Sequence, residues 1–385
     1  MGIIWFFIIF FVIVVVHEFG HFIVARSCGI RVKEFFVGMG PALVSFTRKG
    51  TKYSLRLLPL GGACVFEGEE EYYADEEEKK TDAPGKETTA ESVNASVMDA
   101  SINPENEAED EEYYGCAFRE ASVWARLATL VAGPFFNFIL AFVASLIIIG
   151  SLGVDMPILS GVSEGGAAEA AGMQEGDVIV KINNKKIHIF REVSLEAMLN
   201  QGETVHVTYE RDGSLHAVDI TPIYDEKAGR YYYGIIGQSG YTKVDAASVV
   251  KYSFYEVEYW IDMTFKSLGM LFTGRAGVKD LSGPVGMADT VSDIYTESKT
   301  DGAFYVWINM LNFMILLSAN LGVLNLLPVP MLDGGRILLL LVELVRRKPL
   351  PVEKEGIINL VGFVLLLILM VVVMYNDIVR VVTGG

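Results

Sequence analysis

The sequence predicts an α-helical polytopic membrane protein, with four transmembrane helices and one small α+β domain outside the membrane. Three observations carry this reading. Hydrophobic residues make up 51% of the 385-residue chain and charged residues only 21%, with a mean hydropathy of +0.37. The apolar residues gather in four blocks, each with roughly the twenty residues that a hydrocarbon core requires. Residues 151–240, between the second and third blocks, run instead in short alternating segments separated by Gly, Asn and Asp.

The first span covers 1–25. Ile3 to Val16 holds no polar residue, and only Met1 and Gly2 precede it. No small-residue cleavage site follows, so the segment is expected to be retained rather than removed as a signal peptide. The remaining spans are 122–150, 303–327 and 356–375, followed by a tail over 376–385. Lys and Arg cluster after the first span (Arg26, Arg31, Lys33, Arg48, Lys49, Lys52, Arg56) and between the last two (Arg336, Arg346, Arg347, Lys348, Lys354). That asymmetry places 26–122 and 328–355 in the cytoplasm and both termini outside. Cys28, Cys64 and Cys116 then face the reducing side and are expected as free thiols.

Net charge is −17, from 31 basic and 48 acidic residues. Eighteen of the acids, with only three lysines, fall in 67–114, which carries −15 by itself. The segment 67–121 therefore reads as a disordered acidic loop, a solvated spacer before it is a partner-binding tail. Outside it the chain is nearly neutral. A basic nucleic-acid surface, and with it a nucleic-acid partner, is excluded by this balance.

Within 151–240, Asp177–Ile182, Thr204–Tyr209 and Ala217–Ile220 alternate as strands, and Arg211-Asp212-Gly213-Ser214 suits a hairpin turn. Helices fit Ala167–Ala171 and Glu192–Leu199. The segment 241–302 holds an amphipathic helix, about 248–273, and a connector. Val250, Phe254, Val257, Ile261, Phe265, Leu268 and Phe272 recur there at helical spacing. Such a helix lies in the membrane interface or packs on the soluble domain; the pattern alone supports both.

The chemistry lies in the first span, at His17-Glu18-Phe19-Gly20-His21. Residues four apart share a helix face, so two imidazoles can reach one metal ion, with Glu18 placed to accept a proton from water. Titratable residues cost about 2.5–3.5 kcal/mol each at mid-membrane, so three of them in an apolar helix argue for a site. Ile3 to His17 spans about 21 Å, which sets the site nearer the cytoplasmic end. Catalytic zinc takes three protein ligands. His188, His206 and His216 lie in the outer domain, on the wrong side to supply the third. Pro328 and Pro330 break the third helix, and Gly334-Gly335 permit a tight turn that returns Asp333 to this depth. Asp333 caps the following helix or completes the ligand set, and the missing third ligand favours coordination.

Two resemblances follow. Gly161-Val162-Ser163, Ala170-Ala171-Gly172-Met173-Gln174-Glu175-Gly176-Asp177-Val178-Ile179 and Ile182-Asn183 resemble the PDZ family, with Gly166 where bacterial members usually carry Pro. The whole chain resembles the site-2 protease family of intramembrane zinc metalloproteases, in its bacterial RseP-type branch and single-PDZ form. HEFGH, Asn325 to Gly334, Gly38-Met39-Gly40-Pro41, Leu58-Pro59-Leu60-Gly61-Gly62, Ala132-Gly133-Pro134-Phe135-Phe136-Asn137 and Ser282-Gly283-Pro284-Val285-Gly286 carry the likeness. The resemblance implies Zn2+ held by His17, His21 and Asp333, Glu18 as general base, and Asn325 on the substrate. It also implies a membrane-associated β-hairpin in 26–66 whose Leu60, Gly61 and Gly62 meet an unwound substrate strand. It further implies a multi-pass protein of the bacterial cytoplasmic membrane, cutting single-pass membrane proteins within the lipid bilayer, anti-sigma factors among them. Two other classes compete. A proteolytically inactive PDZ-bearing scaffold sits poorly with an intact HEFGH. A metal transporter would need intramembrane carboxylates repeated along an ion path.

Overall fold

The computed structural model describes residues 1–68, 115–200, 202–226, 230–238, 240–277, 279 and 281–383, so the acidic stretch expected as a loop lies, over 69–114, outside the described residues. The first apolar block forms one unbroken helix, α1 (Gly2–Ser27). Two long strands follow, β1 (Val32–Arg48) and β2 (Thr51–Phe66). They turn at Lys49 and Gly50, both left-handed (φ 50° and 72°), a conformation that matches strand twist in a two-residue hairpin. The second block is α2 (Val123–Leu152), with Pro134 inside it.

Then come β3 (Leu159–Val162), α3 (Ala167–Ala170), β4 (Val178–Ile182), β5 (Lys185–Lys186) and α4 (Phe190–Asn200). The domain closes with β6 (Val205–Arg211), β7 (Ser214–Ile220), β8 (Ile223–Asp225), β9 (Arg230–Tyr232) and β10 (Ile235–Gly237). The amphipathic segment is α5 (Ala246–Phe272), capped by the Asp245 carboxylate on the Ala247 N–H. What the sequence reads as a connector contains a fifteen-residue helix, α6 (Pro284–Ser298), which opens on Pro284 where no intrahelical N–H is required. α7 (Ala303–Leu326), α8 (Asp333–Arg346) and α9 (Val352–Thr383) complete the chain. Among the described residues α1, α2, α7 and α9 are long and apolar enough to cross a membrane. α9 runs past the expected 356–375 at both ends.

The chain divides into two compact units. One comprises Met1–Trp5, Asn137–Val323 and Val373–Gly385. Its α+β domain holds a four-stranded sheet in the order β5-β4-β6-β7, a β10-β3 pair and a β8-β9 pair. Ile179, Ile182, Val205, Val207 and Tyr209 are buried together beneath α4. The β6–β7 turn is Asp212-Gly213, both left-handed, as the hairpin signal requires. Gly166 stands at the N-cap of α3 and donates its N–H to the Ser163 carbonyl at 2.9 Å, a bond that proline could not make. The amphipathic helix makes the domain contact that one of its two readings expects. α5 lies on the domain through Arg191–Glu256 at 2.6 Å, Lys266–Glu196 at 2.6 Å and a His188–Tyr255 stack at 3.7 Å. Its other side meets α2 and α7 through Val257 and through Thr264, which hydrogen-bonds Asn320.

The second unit comprises Phe6–Phe136 and Leu324–Val372. Here β1 pairs twice. Glu34–Val37 meets Gly62–Val65 on one edge and Lys52–Leu55 on the other, while Val44–Arg48 pairs with Thr51–Leu55. The hairpin expected from the sequence is therefore a sheet of four segments, with Gly62–Val65 at an edge. Ala25, Ile30, Val32, Phe66, Phe118, Leu130 and Leu340 form its core, with Phe66 stacked on Phe118 at 5.0 Å.

Candidate metal centre

α1 places His17 and His21 one turn apart, so their rings meet edge to face at 4.8 Å and their Nε2 atoms lie 3.2 Å apart. Both residues are buried. The His21 Nδ1–H donates to the Thr129 carbonyl of α2 at 2.8 Å. A carbonyl only accepts, so the neutral ring keeps its Nε2 lone pair for the opposite side.

The third group arrives by a tight reversal. α7 stops at Leu326, because Pro328 and Pro330 have no N–H to extend it. Left-handed Met331 (φ 75°) then turns the chain into α8, whose first residue is Asp333. The Asp333 Oδ2 lies 3.2 Å from His17 Nε2 and 3.4 Å from His21 Nε2. Gly334 and Gly335 are helical rather than the turn residues that the sequence reading makes them. Their missing side chains let α8 lie against the reversal, since a Cβ on Gly335 would sit 2.8 Å from the Val329 carbonyl carbon. Leu332 occupies the cap position of α8, so Asp333 is not the cap.

The donor set fits one ion. His17 Nε2, His21 Nε2 and an Asp333 oxygen all lie within 4.8 Å of one another. Two nitrogens at 2.0–2.1 Å on tetrahedral zinc stand about 3.3 Å apart, close to the observed spacing. Space is reserved as well. A Cβ on Gly133 of α2 would fall 2.6 Å from His21 Cε1 and 2.8 Å from His17 Cε1. One on Gly20 would fall 2.6 Å from the Ala132 carbonyl, so the two glycines let α1 and α2 approach closely.

Glu18 sits on α1 between the histidines and faces β2. The Cys64 backbone N–H bonds its carboxylate, and a Cβ on Gly62 would lie 3.3 Å from its Cγ. Gly61 is left-handed (φ 75°), and the Leu60 side chain lies outside the described residues. Asn325 Nδ2 lies 3.5 Å from His17 Nε2, beside the centre without a good hydrogen bond to it. His17, Glu18, His21, Asn325, Gly62 and Asp333 are thus brought together in one unit. Thr129 and the individual role of Gly133 escape the sequence reading, because a backbone carbonyl and an absent side chain leave no chemical signature. The only available hint is a Gly-Pro pair inside an apolar helix.

The model for peptidase family M50 matches residues 5–369. The chain belongs to that family, the site-2 proteases. It is 34% identical to zinc metalloprotease RasP of Shouchella clausii, over 96% of this chain and 97% of that one. It is 32% identical to the regulator of sigma-W protease RasP of Bacillus subtilis, over 97% of each. A solved structure it resembles is the PDZ domain of an SdrC-like protein from Listeria monocytogenes, at 21% identity and a TM-score of 0.20, over 22% of this chain and 87% of that one. The protein is accordingly a zinc metalloprotease.

Proposed function

We propose that the chain hydrolyses peptide bonds in or near the transmembrane helices of single-pass membrane proteins, with anti-sigma factors as the substrate class. The carrying observation is the convergence of His17, His21 and Asp333 beside Glu18 on an apolar helix. Those three side chains would hold zinc, which would supply Lewis-acid chemistry at the scissile carbonyl and at the attacking water. Glu18, steadied by the Cys64 N–H, takes the proton from the attacking water and returns it to the leaving amine. Asn325 holds the substrate backbone beside His17. A helical substrate keeps its carbonyls in intrahelical bonds, so it must unwind. The edge segment Gly62–Val65, with Leu60 and Gly61 leading into it, offers strand pairing that holds it open next to Glu18.

The Lys/Arg distribution supports a bacterial cytoplasmic-membrane protein with both termini and a PDZ domain outside. The Bacillus subtilis relative, named for regulating sigma-W, supports the substrate class. A model single-span substrate, incubated with wild type and Glu18→Gln, tests the reading. Wild type should cut and Glu18→Gln should not, while both carry zinc. Cleavage by Glu18→Gln would remove the general base; a wild type that binds but never cuts would favour a scaffold.

A further inference from the structure

α8 carries Asp333 to the histidines, yet little of α8 itself is enclosed. Of its residues only Gly334, Gly335 and Leu340 are buried. Leu338, Leu341, Val342 and Val345 stand exposed along the rest of it. The glycines lie at the reversal, so they seat the start of the helix and leave its rotation to contacts further on. Arg336, Leu340 and Glu343 make those contacts, spaced i, i+4, i+7 along one face. The Arg336 guanidinium lies over the Phe118 ring at 5.4 Å, and Leu340 joins the core that holds Leu130 of α2.

α2 presents Arg126, Leu130 and Gly133 at the same spacing. Arg126 meets Glu343 as a fork: its Nη1 donates to Oε2 at 3.2 Å and its Nη2 to Oε1 at 2.5 Å. The two side chains are only 9% and 16% exposed. Leu130 and Leu340 share one core, and Gly133 abuts the imidazoles that Asp333 faces. The two helices therefore run antiparallel, with the fork at one end and the candidate metal centre at the other. An apolar contact such as Leu340 is non-directional and tolerates rotation, whereas a bidentate guanidinium–carboxylate pair sets both distance and angle. Glu343 lies ten residues beyond Asp333, about 15 Å along the axis. The Asp333 carboxylate stands about 5 Å off that axis, so a 10° turn of α8 moves it by about 1 Å. A functional site tolerates only about 0.5 Å.

We infer that Arg126 and Glu343 are positioning residues for the candidate metal centre: their fork sets the rotation of α8 and so places the Asp333 carboxylate against His17 and His21. Neither touches a metal or a substrate. Arg126 also stands one turn before Thr129, whose carbonyl orients His21, so one fork steadies two of the three donors. The inference rests on the ligand role proposed for Asp333.

A buried pair is also a plain structural tie, and two variants separate the roles. Arg126→Lys keeps the charge and loses the fork. Arg126→Met/Glu343→Leu removes both charges together, a change that leaves stability level or raises it. Full-length protein is loaded with zinc and titrated with a graded chelator, and the metal-free forms are unfolded by heat in parallel. Both variants should hold zinc about ten-fold less tightly than wild type, the scale for losing a group that orients a ligand. The metal-free double variant should melt no earlier than metal-free wild type. With cobalt in place of zinc, the visible absorption of both variants should depart from that of wild type, because the ligand geometry has changed. Wild-type zinc affinity in the double variant overturns the inference, as do an unchanged cobalt spectrum and a zinc loss matched by earlier melting. Wild-type affinity in Arg126→Lys alone shows that charge suffices and overturns the fork. Asp333→Asn, run beside them, keeps the two readings apart. Full zinc there removes the ligand and this inference with it; full zinc in the Arg126 variants alone removes only the positioning role.

Discussion

His21 and Thr129, 108 residues apart, are joined from the imidazole Nδ1–H to a backbone carbonyl at 2.8 Å. The bond makes α2 part of the candidate metal centre without giving it a ligand. One helical turn beyond Thr129 stands Gly133, where a Cβ would press on both imidazoles. Gly133→Ala should therefore displace the rings and lower zinc affinity by about 10–100-fold, the usual scale for disturbing the groups that orient a ligand. Gly150→Ala, in the same helix with open space around it, should keep full zinc and proteolysis. Zinc content after dialysis against a graded chelator separates the two. Equal zinc in both variants would end the steric account.

Asp333→Asn tests the third ligand directly. The amide keeps the shape but loses the negative charge that two imidazoles face at 3.2 and 3.4 Å. Its loss of zinc affinity should exceed that of Gly133→Ala, because a ligand is altered rather than its setting. Undiminished zinc in Asp333→Asn would remove this residue from the set.

The sequence makes the first two candidate metal-binding residues visible, because a four-residue spacing on a helix is a one-dimensional signal. Asp333 is legible only through what surrounds it: two prolines that must end α7 and the need for a third ligand. The roles of Gly334 and Gly335 are misjudged for the same reason, since a helix packed against a reversal and a tight turn both call for glycine. The sheet is harder still. Glu34–Val37 pairs on two edges at once, and no alternation pattern states which strands lie beside it. α6 is hidden behind polar residues, Asp289, Asp293 and Glu297, which soften its apolar period.

Arg211→Met should destabilise the α+β domain. Asp177 is fully buried and meets Arg211 at 2.6 Å, so losing the guanidinium strands a buried carboxylate. The expected effect is faster amide hydrogen exchange in β4 and β6 of the full chain. Adding Asp177→Asn should reverse part of it, because the stranded charge is gone. A double variant no more protected than Arg211→Met would argue that packing, rather than charge, holds these strands.

The contact between α5 and the α+β domain should be insensitive to pH across a wide window. Asp262 bonds both Lys185 and Lys266, the latter at 3.0 Å. Burial pushes its carboxyl up, but the two ammonium hydrogen bonds outweigh that and hold it below the usual range. Lys266 moves the other way. Burial pushes its ammonium down, and bonds to Glu196 and Asp262 outweigh this and raise it. A lowered carboxyl contributes stability that is complete above its unfolded value, about 3.9, and lost as pH falls through the folded one. A raised ammonium contributes stability complete below its unfolded value, about 10.4, and lost as pH rises through the folded one. Protease protection of the 241–245 joint should therefore hold from about pH 4 to about pH 10 and fail outside those limits. Lys266→Met, which leaves Asp262 with Lys185 alone, should move the acid limit upward. A break near neutrality in the wild type would contradict this.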